Sequence, residues 1–310
     1  MMLNPYLDPQ RVRAALRALD LHPTRGMGQN FLVDGEALAT IVTAAALSPA
    51  DLVVEVGPGL GVLTWELTRQ AGHVVAVELD RRLAARLREE LPDARLSIVE
   101  ADVLRVRPEA LLTTVTDAGR PTAADQPPTA AAQAAANAQR YKLVANLPYA
   151  ITSAVLRHFL EAAAPPELTV VLVQLEVAQR IIAAPGDLSV LAHSVQIYAE
   201  PTLVAKVPAT SFFPAPAVDS AVLVLRRRAR LAVEVDSVDR LFRVIKAGSL
   251  HARKQLGNAL PGGLAALGHG VPREQALAAL AAAGIDPRRR AETVTLAEWA
   301  QVYASLRDAL

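Results

Sequence analysis

The sequence predicts an α/β fold followed by a smaller all-α C-terminal domain. From Asp51 to about Leu225, short runs rich in β-branched residues alternate with longer helical stretches, which is the pattern of a parallel sheet with crossover helices. Beyond Asp236 the pattern is helical throughout. The 310 residues, 52% of them hydrophobic, are enough to bury one large core and a small one. We therefore expect a first domain over 1–228 and a helical domain over 229–310.

Seven segments have the short, β-branched composition of buried strands. They are Leu52–Val56, His73–Glu78, Leu96–Glu100, Tyr141–Ala145, Leu168–Gln174, Leu203–Val207 and Ala221–Leu225. Helices are predicted between these strands, notably at Leu63–Ala71, Arg81–Leu91 and Thr152–Ala163. In the C-terminal part, helices are predicted at Val238–Leu250, Pro272–Ala283 and Leu296–Leu310, with a break at Pro261-Gly262-Gly263.

Composition excludes several classes of protein. The sequence has no cysteine, which excludes disulfides, thiolate zinc sites and cysteine nucleophiles. Its longest mainly apolar stretch, Leu168–Ala178, is shorter than the roughly 20 residues of a membrane-spanning helix. The N-terminus lacks the apolar core of a signal peptide, so we expect a cytoplasmic protein. The basic, amphipathic segment Leu7–Leu21 leaves an organellar presequence as an alternative, against which Asp8 and Asp20 argue.

Positive charge is concentrated in the C-terminal part of the chain. The net charge of the whole chain is +1, but Arg226–Leu310 holds 14 Lys and Arg against 8 Asp and Glu, a net charge of +6. Two arginine clusters lie in this part, at Arg226-Arg227-Arg228 with Arg230 and at Arg288-Arg289-Arg290. Such clusters suit a nucleic-acid backbone. A solvated surface is the alternative.

One segment fits neither the α/β pattern nor the helical pattern. Between Val115 and Leu143 the sequence has no Val, Leu, Ile or Phe, while Ala, Pro, Thr and Gln dominate. Such a composition contributes little to a hydrophobic core. We therefore expect 117–139 to be a low-complexity surface insertion, with a functional lid as the alternative.

A glycine-rich turn follows the first predicted strand. In Glu55-Val56-Gly57-Pro58-Gly59 the glycines allow the backbone to approach a ligand closely. Glu78 follows Gly57 by 21 residues, at the end of the next strand, where a carboxylate accepts hydrogen bonds from ribose hydroxyls. The turn alone is compatible with a plain strand–helix connection. Together with Glu78 it predicts a cofactor that contains adenosine.

The residues around this turn favour S-adenosylmethionine over a dinucleotide. A dinucleotide fingerprint requires a third glycine where Val62 stands, and Glu55 would place negative charge near a pyrophosphate. A carboxylate suits a cofactor that carries a positive sulfonium and an amino group. In Glu100-Ala101-Asp102-Val103, Asp102 can accept a hydrogen bond from the adenine amine while a neighbouring backbone N–H meets a ring nitrogen. A helix N-cap is the alternative role of Asp102.

The motif Asn146-Leu147-Pro148-Tyr149 follows the fourth predicted strand. Pro148 keeps Leu147 extended and removes a backbone donor, so that carbonyl oxygens and the Asn146 amide can face the methyl group of the cofactor. Two acceptors can hold the hydrogens of a planar amine and turn its lone pair toward the methyl group. Tyr149 can stack on a flipped base. The motif predicts methylation of the adenine amine, and a plain turn with Tyr149 in the core is the alternative.

These motifs resemble those of the small-subunit ribosomal RNA adenine dimethyltransferases, the KsgA/RsmA family, whose nearest relatives are the Erm methylases of large-subunit RNA. The resemblance covers nearly the whole chain. Besides the motifs above, it rests on Gly28-Gln29-Asn30-Phe31-Leu32, Glu78-Leu79-Asp80, Phe212-Phe213-Pro214-Ala215-Pro216, Val218-Asp219-Ser220-Ala221-Val222, Arg253-Lys254-Gln255-Leu256-Gly257-Asn258-Ala259-Leu260 and Arg290-Ala291-Glu292. It implies a Rossmann-like class I methyltransferase sheet and a small all-α C-terminal domain that grips RNA.

The resemblance also implies roles for particular residues. It assigns cofactor binding to Gln29, Asn30, Leu32, Glu55, Gly57, Gly59, Glu78, Leu79, Asp102, Val103 and Asn146. It assigns the methyl-transfer site to Asn146, Leu147, Pro148 and Tyr149, with Phe212 as the second aromatic face of the base slot. It assigns RNA binding to Arg226, Arg227, Arg228, Arg253 and Lys254. No metal is expected.

Members of this family transfer four methyl groups from S-adenosylmethionine to two adjacent adenines near the 3′ end of small-subunit RNA, late in assembly. The resemblance therefore implies a cytoplasmic, monomeric enzyme that acts on ribosomal RNA within a pre-30S particle and has no membrane partner. Three alternatives stay open. An Erm-type methylase is disfavoured by the full helical domain and a non-catalytic assembly factor by the intact Asn146–Tyr149 motif. A small-molecule methyltransferase would not need the basic clusters.

The chain departs from the family pattern in four places. The insertion 117–139 is unusual, Leu175 and Ala217 stand where lysine is frequent, and Pro185–Ser189 is shorter than its counterpart. All four lie outside the predicted cofactor residues. They therefore bear on RNA contacts more than on catalysis.

Overall fold

The strands form one large sheet and one short antiparallel pair. The computed structural model describes residues 4–21, 30–93, 95–113 and 140–310. In chain order the strands are β1 (Phe31–Leu32), β2 (Leu52–Val56), β3 (His73–Glu78), β4 (Leu96–Glu100), β5 (Lys142–Asn146), β6 (Leu168–Gln174), β7 (Ala199–Val207), β8 (Phe212–Phe213) and β9 (Ser220–Arg227).

The large sheet has the strand order β4-β3-β2-β5-β6-β9-β7. Parallel pairing runs from β4 through β3, β2 and β5 to β6, and β9 is antiparallel to β6. The chain order reverses beside β2, because β3 lies on one side of it and β5 on the other. In open α/β sheets, ligands bind in the crevice at the carboxyl ends of the strands at such a reversal.

Helices connect the strands and make up most of the C-terminal part. In chain order they are α1 (Pro9–Ala18), α2 (Gly35–Ala45), α3 (Val62–Gln70), α4 (Arg81–Glu90), α5 (Pro108–Thr113), α6 (Thr152–Leu160), α7 (Leu175–Ile181), α8 (Val190–Gln196), α9 (Val238–Ser249), α10 (Leu256–Ala266), α11 (Arg273–Ala282) and α12 (Leu296–Leu306). Short 3-10 turns lie at Pro5–Leu7, Tyr149–Ile151, Ala209–Ser211, Ala291–Thr293 and Arg307–Ala309. In the part of the chain that the structure describes, no helix has the length and apolar character to cross a membrane.

The predicted α/β fold class is confirmed. β2 is buried along its whole length, as expected for a parallel strand whose two faces are both covered. The bounds of β2, β3, β4 and β6 are those predicted, whereas β7 begins at Ala199 rather than Leu203. β7 lies at the edge of the sheet, contains Pro201 and alternates between exposed and partly buried side chains. Because an edge strand with a proline has a weak β pattern, its start was not predicted.

Contacts within the chain define two units. The first comprises Met1–Ala178 and Glu200–Arg227, and the second comprises Gln179–Ala199 and Arg228–Leu310. The first unit holds the large sheet. The second holds α8 to α12, and its assignment to RNA binding stays a prediction.

In the second unit, one helix differs from the prediction made from the sequence. The predicted break at Pro261-Gly262-Gly263 is wrong, because α10 continues through it from Leu256 to Ala266. A Cβ at Gly263 would lie 1.9 Å from the carbonyl oxygen of Ala247 in α9, so glycine permits the two helices to approach closely. Leu260 and Leu264 are buried in the core that this approach creates. Tertiary packing therefore overrides the local helix-breaking tendency of proline and glycine.

Candidate active site

A cavity at the carboxyl ends of β2, β3 and β5 collects most of the predicted site residues. Those that line it are Asn30, Leu32, Glu55, Gly57, Gly59, Glu78, Asn146, Leu147, Pro148 and Tyr149. Their proximity follows from the topology, since neighbouring parallel strands bring their carboxyl ends to one edge of the sheet. Gln29 lies outside the described residues.

Two glycines of the turn after β2 line the cavity. Gly57 and Gly59 have φ angles of +68° and +58°, in the left-handed region that residues with a Cβ rarely adopt. A Cβ at Gly59 would also lie 3.2 Å from Cε1 of Phe31, which lines the same cavity. The turn therefore presents bare backbone to the cavity, as a ligand-binding turn must.

Glu55 places a buried carboxyl group in the cavity wall. The residue is 1% exposed, and burial raises the pKa of the Glu55 carboxyl to about 8. Its Oε2 atom has no hydrogen-bond partner among the described residues. A buried acceptor without a partner is costly. Its place in a cavity fits a positively charged ligand group, which would stabilise the ionised carboxylate.

Glu78 is held at the end of β3 by backbone donors. Its Oε2 accepts a hydrogen bond from the Gly59 N–H at 3.0 Å, and its Oε1 accepts one from the Asp80 N–H at 2.9 Å. Burial raises the pKa of the Glu78 carboxyl. Because each oxygen can accept more than one hydrogen bond, Glu78 can also receive ligand hydroxyls. Within the described residues, no group of three or more His, Cys, Asp or Glu side chains is arranged to hold a metal ion.

The Asn146 amide is oriented by the segment that precedes β1. Its Nδ2 donates a hydrogen bond to the Asn30 carbonyl oxygen at 3.3 Å, so its Oδ1 is the end of the amide that can accept from a ligand. The Pro148 carbonyl oxygen already accepts hydrogen bonds from the turn that follows it. The Leu147 carbonyl is therefore the backbone acceptor that the motif can offer beside Asn146.

Tyr149 is half-buried in the cavity wall. Its hydroxyl oxygen lies 2.7 Å from Oγ of Ser220 at the start of β9, and Ser220 is fully buried. Burial raises the pKa of the Tyr149 hydroxyl, so the phenol stays neutral. The hydrogen bond fixes the ring at the cavity, which a stacking role requires.

Phe212 lies beside the cavity lining. β1 and β8 pair antiparallel, with Leu32 opposite Phe212 and Phe31 opposite Phe213. Phe31 and Leu32 line the cavity, whereas Phe212 is 4% exposed and belongs to the core of the first unit. Its role as the second face of a base slot stays a prediction.

Three further predicted cofactor residues lie outside the cavity lining. Oδ1 of Asp102 accepts a hydrogen bond from the Leu104 N–H at 3.0 Å, and its Oδ2 lies 3.5 Å from Nε of Arg105. The structure thus places Asp102 in a local capping role similar to the alternative that its sequence position left open. Leu79 is 70% exposed, and Val103 is buried.

The residues predicted to bind RNA are mostly at the surface. Exposed side chains are found at Arg226, Arg227, Arg253 and Lys254. Nε of Arg228 donates a hydrogen bond to the Gln196 carbonyl oxygen at 3.1 Å, so this side chain also supports the second unit. Contact with RNA stays a prediction for all five residues.

The second arginine cluster, Arg288–Arg290, is partly engaged in ion pairs within the protein. Arg288 pairs with Asp286 at 2.8 Å, and Arg289 pairs with Glu298 at 2.5 Å. The contact with Glu298 gives Arg289 a local structural role, whereas the pair of Arg288 with Asp286 lies at the surface. The cluster is therefore a weaker candidate for RNA than the sequence indicated.

Residues near the N-terminus that were not predicted from the sequence also line the cavity. Tyr6 and Val12 both contribute to the lining. Their segment is fastened by Asn4, whose Nδ2 donates a hydrogen bond to the Val62 carbonyl oxygen at 2.8 Å, across 58 positions of sequence. The amphipathic character of Leu7–Leu21 was the one indication that this segment packs against the core.

The strand order, the antiparallel β9 and the cavity at the sheet reversal define a class I methyltransferase with a Rossmann-like sheet. The family model described as "Ribosomal RNA adenine dimethylase" matches residues 23–308. This chain therefore belongs to the ribosomal RNA adenine dimethylase family and is an enzyme. The family resemblance found in the sequence is confirmed.

Relatives named "Ribosomal RNA small subunit methyltransferase A" match over nearly the full length. The protein of Dehalococcoides mccartyi is 43% identical over 300 residues, which cover 96% of this chain and 92% of that protein. The protein of Moorella thermoacetica is 42% identical over 307 residues, which cover 98% of this chain and 99% of that protein.

Two solved structures share the fold. The 23S rRNA methyltransferase ErmE is 30% identical with a TM-score of 0.63, and the match covers 90% of this chain and 100% of that chain. A dimethyladenosine transferase from Plasmodium falciparum is 21% identical with a TM-score of 0.68, and the match covers 90% of this chain and 98% of that chain.

Proposed function

We propose that this protein transfers methyl groups from S-adenosylmethionine to the N6 amines of two adjacent adenines near the 3′ end of small-subunit ribosomal RNA. The observation that carries the proposal is the Asn146–Tyr149 turn, which lines the same cavity as the Glu55 and Glu78 carboxyl groups. One cavity thus contains both hydrogen-bond acceptors for an amine and carboxyl groups for a cationic cofactor.

The residues of the cavity fit S-adenosylmethionine. The unpartnered Oε2 of Glu55 fits the positive charge of the cofactor, and the remaining acceptor positions of Glu78 fit its ribose hydroxyls. Gly57 and Gly59 leave backbone space for its amino-acid end, next to Asn30 and Leu32. The exposed Leu79 offers an apolar face for the adenine.

Asp102 and Val103 complete the proposed cofactor site. The Asp102 side chain is 39% exposed and touches Arg105 only at 3.5 Å. It can therefore exchange this contact for the adenine amine while it keeps its hydrogen bond from the Leu104 N–H. The backbone N–H of Val103, the next residue, can then donate a hydrogen bond to a ring nitrogen of the adenine.

Asn146 and Leu147 orient the target amine. When bound, S-adenosylmethionine supplies an electrophilic methyl group. Oδ1 of Asn146 and the Leu147 carbonyl oxygen accept the two N6 hydrogens, which turns the nitrogen lone pair toward the cofactor. The same acceptors stabilise the positive charge that develops on nitrogen. No strong base is needed, because the N6 proton becomes acidic as the new bond forms.

Tyr149 holds the extruded adenine by stacking. Its hydroxyl is tied to Ser220, so little freedom of the ring is lost when a base stacks on it. A stack of this kind contributes about 1–3 kcal/mol.

Small-subunit RNA is favoured over large-subunit RNA as the substrate. The two relatives described above that are named for the small subunit are 42–43% identical to this chain, compared with 30% for ErmE. The intact acceptor geometry at Asn146 argues against a non-catalytic assembly factor. We infer a cytoplasmic monomer that acts on a pre-30S particle late in assembly, with Arg226–Arg228, Arg253 and Lys254 on the RNA backbone.

The test uses small ribosomal subunits from a strain that lacks the gene. The subunits are incubated with the purified protein and S-adenosylmethionine, modified nucleosides are quantified by mass spectrometry, and primer extension locates them. The proposal predicts two adjacent N6,N6-dimethyladenosines near the 3′ end of small-subunit RNA and none in large-subunit RNA. Modification of large-subunit RNA alone would identify an Erm-type enzyme, and binding of the particle without any methylated base would identify an assembly factor.

A further inference from the structure

An arginine of the N-terminal helix stacks on a phenylalanine beside the cavity. The Arg13 guanidinium carbon lies 5.1 Å from the centre of the Phe213 ring. Phe213 is opposite Phe31 in the β1–β8 pair, and Phe31 lines the cavity. Arg13 is nevertheless exposed. Its guanidinium is thus held near the cavity rim while its edge remains accessible to solvent.

Helix α1 is positively charged. Its ten residues include Arg11, Arg13 and Arg17 and no Asp or Glu, and all three arginines are exposed. Arg13 and Arg17 are four residues apart and share one flank of the helix. Arg11 is on the opposite flank, where it lines a separate cavity. Like charges at this spacing disfavour an isolated helix. A partner of opposite charge would therefore stabilise the pair formed by Arg13 and Arg17.

Many other arginines of the first unit already have such a partner. Ion pairs join Arg81 to Glu100, Arg82 to Asp80, Arg86 to Glu90 and Arg157 to Glu161. Over the described ranges, no ion pair joins Arg13 or Arg17 to a carboxylate. Among the described residues, the flank of α1 that carries them is therefore a cationic edge close to the cavity whose arginines form no ion pair.

We propose that Arg13 and Arg17 bind the phosphate backbone of the RNA strand next to the target adenine, and that Phe213 positions Arg13 for this contact. The inference rests on the proposed function, and it adds an RNA contact on the unit that carries the cavity. A stacked guanidinium keeps its N–H donors at its edge, in the geometry that a phosphate accepts. The ring also reduces the conformational freedom that Arg13 loses on binding.

The first test compares Arg13→Gln and Arg17→Gln with Arg69→Gln. Arg69 is a matched control, because it is an exposed arginine in the last turn of α3, the helix that leads away from the cavity. Binding of unmethylated small subunits is measured without cofactor at several salt concentrations. Each rim variant should reduce the slope of log K against log salt by about one. Arg69→Gln should leave the slope and the affinity unchanged.

The second test examines the coupling between Arg13 and Phe213. Phe213→Leu keeps an apolar side chain in β8 and removes the ring, so it should weaken binding about 2- to 5-fold, the order expected for an exposed cation–π contact. The double variant Arg13→Gln/Phe213→Leu should bind no more weakly than Arg13→Gln alone. S-adenosylmethionine affinity should be the same in every variant. Fully additive losses would overturn the positioning role of Phe213.

The wild-type protein separates this inference from the proposed function. If it methylates small subunits while Arg13→Gln and Arg17→Gln behave like Arg69→Gln, the rim contact is overturned and the proposed function stands. If the rim variants lower the salt slope but the wild-type protein transfers no methyl group, the RNA contact stands and the proposed function fails.

Discussion

The pKa values of carboxyl groups are shifted in opposite directions in the cavity at the sheet edge and in the helical unit. In the cavity, burial raises the pKa of Glu55 to about 8, and its Oε2 has no partner among the described residues. In the helical unit, Glu298 pairs with Arg289 and accepts a hydrogen bond from the Thr295 N–H at 2.8 Å. Chiefly because of Arg289, the pKa of Glu298 is lowered to about 2.

This difference separates groups that serve function from groups that serve stability. Glu298 completes a capping box at the start of α12, so local structure accounts for it in full. Burial of Glu55 has a cost in the folded protein, and its Oε2 has no hydrogen-bond partner among the described residues, which points to a ligand. Substitutions in the cavity should therefore change binding and turnover, whereas substitutions at Glu298 should change the free energy of unfolding.

The largest effect is expected for Asn146→Ala. Loss of the Oδ1 acceptor should lower kcat by about 100- to 1000-fold, the usual result of removing one transition-state contact. Cofactor affinity and melting temperature should change much less, because the contact forms with the target amine. Methyl incorporation into small subunits and calorimetry measure the two quantities separately. A wild-type rate would mean that other groups orient the amine.

A smaller effect, on stability, is expected for Glu298→Ala. Loss of the Arg289 contact and of the cap should lower the free energy of unfolding by about 2 kcal/mol. Asp286→Ala is the matched control and should cost nearly nothing, because its partner Arg288 is 80% exposed. Chemical denaturation of both variants tests the contrast. Equal losses would show that Glu298 has no special structural role.

The pH dependence of the Glu298 contribution sharpens this test. Its pKa is lowered from an ordinary value of 4.5 to about 2. The contribution is therefore fully present above about pH 4.5 and is lost as the pH falls toward 2. The melting temperatures of the wild-type protein and Glu298→Ala should converge over this range. A constant difference between them would contradict the pairing.

Glu55→Gln should show a pH dependence of the opposite sign. The pKa of Glu55 is raised from 4.5 to about 8, so its neutral form is favoured in the folded protein. The associated stability is fully present below about pH 4.5 and is lost as the pH rises through 8. Relative to the wild-type protein, the melting temperature of Glu55→Gln should therefore increase progressively between these values. If the difference in melting temperature between Glu55→Gln and the wild-type protein does not depend on pH, Glu55 has an exposed or partnered carboxyl group in solution.

The smallest effect is expected for removal of 117–139 and closure with a short Gly/Ser linker. The segment has no Val, Leu, Ile or Phe, and loop length changes closure entropy only slightly. Methyl transfer and the melting temperature should stay close to those of the full chain. A large loss of either would show that the segment is a lid or a structural element.

Sequence patterns predicted those parts of the site that depend on local chemistry. The glycine turn, Glu78 and Asn146 could be placed together because each follows a parallel strand, and the topology brings such ends to one edge. Tyr6, Val12 and the Arg13–Phe213 contact could not be predicted, because they join segments that are distant in sequence and carry no motif. Pro261 lies inside a helix because Gly263 approaches Ala247 closely. Local helix propensity cannot predict this contact, because the contact joins two different helices.

Titration of S-adenosylmethionine into the protein tests the central claim, that the cavity is a methyl-donor site, most directly. Glu78→Ala and Asp102→Ala should each weaken binding by about 1–3 kcal/mol, or roughly 5- to 150-fold, because each removes one acceptor for the cofactor. Tyr141→Phe is the control, since its hydroxyl donates to the buried Ala164 carbonyl and does not line the cavity, and it should bind like the wild-type protein. Absence of binding to the wild-type protein, or unchanged affinity in both alanine variants, would contradict the account.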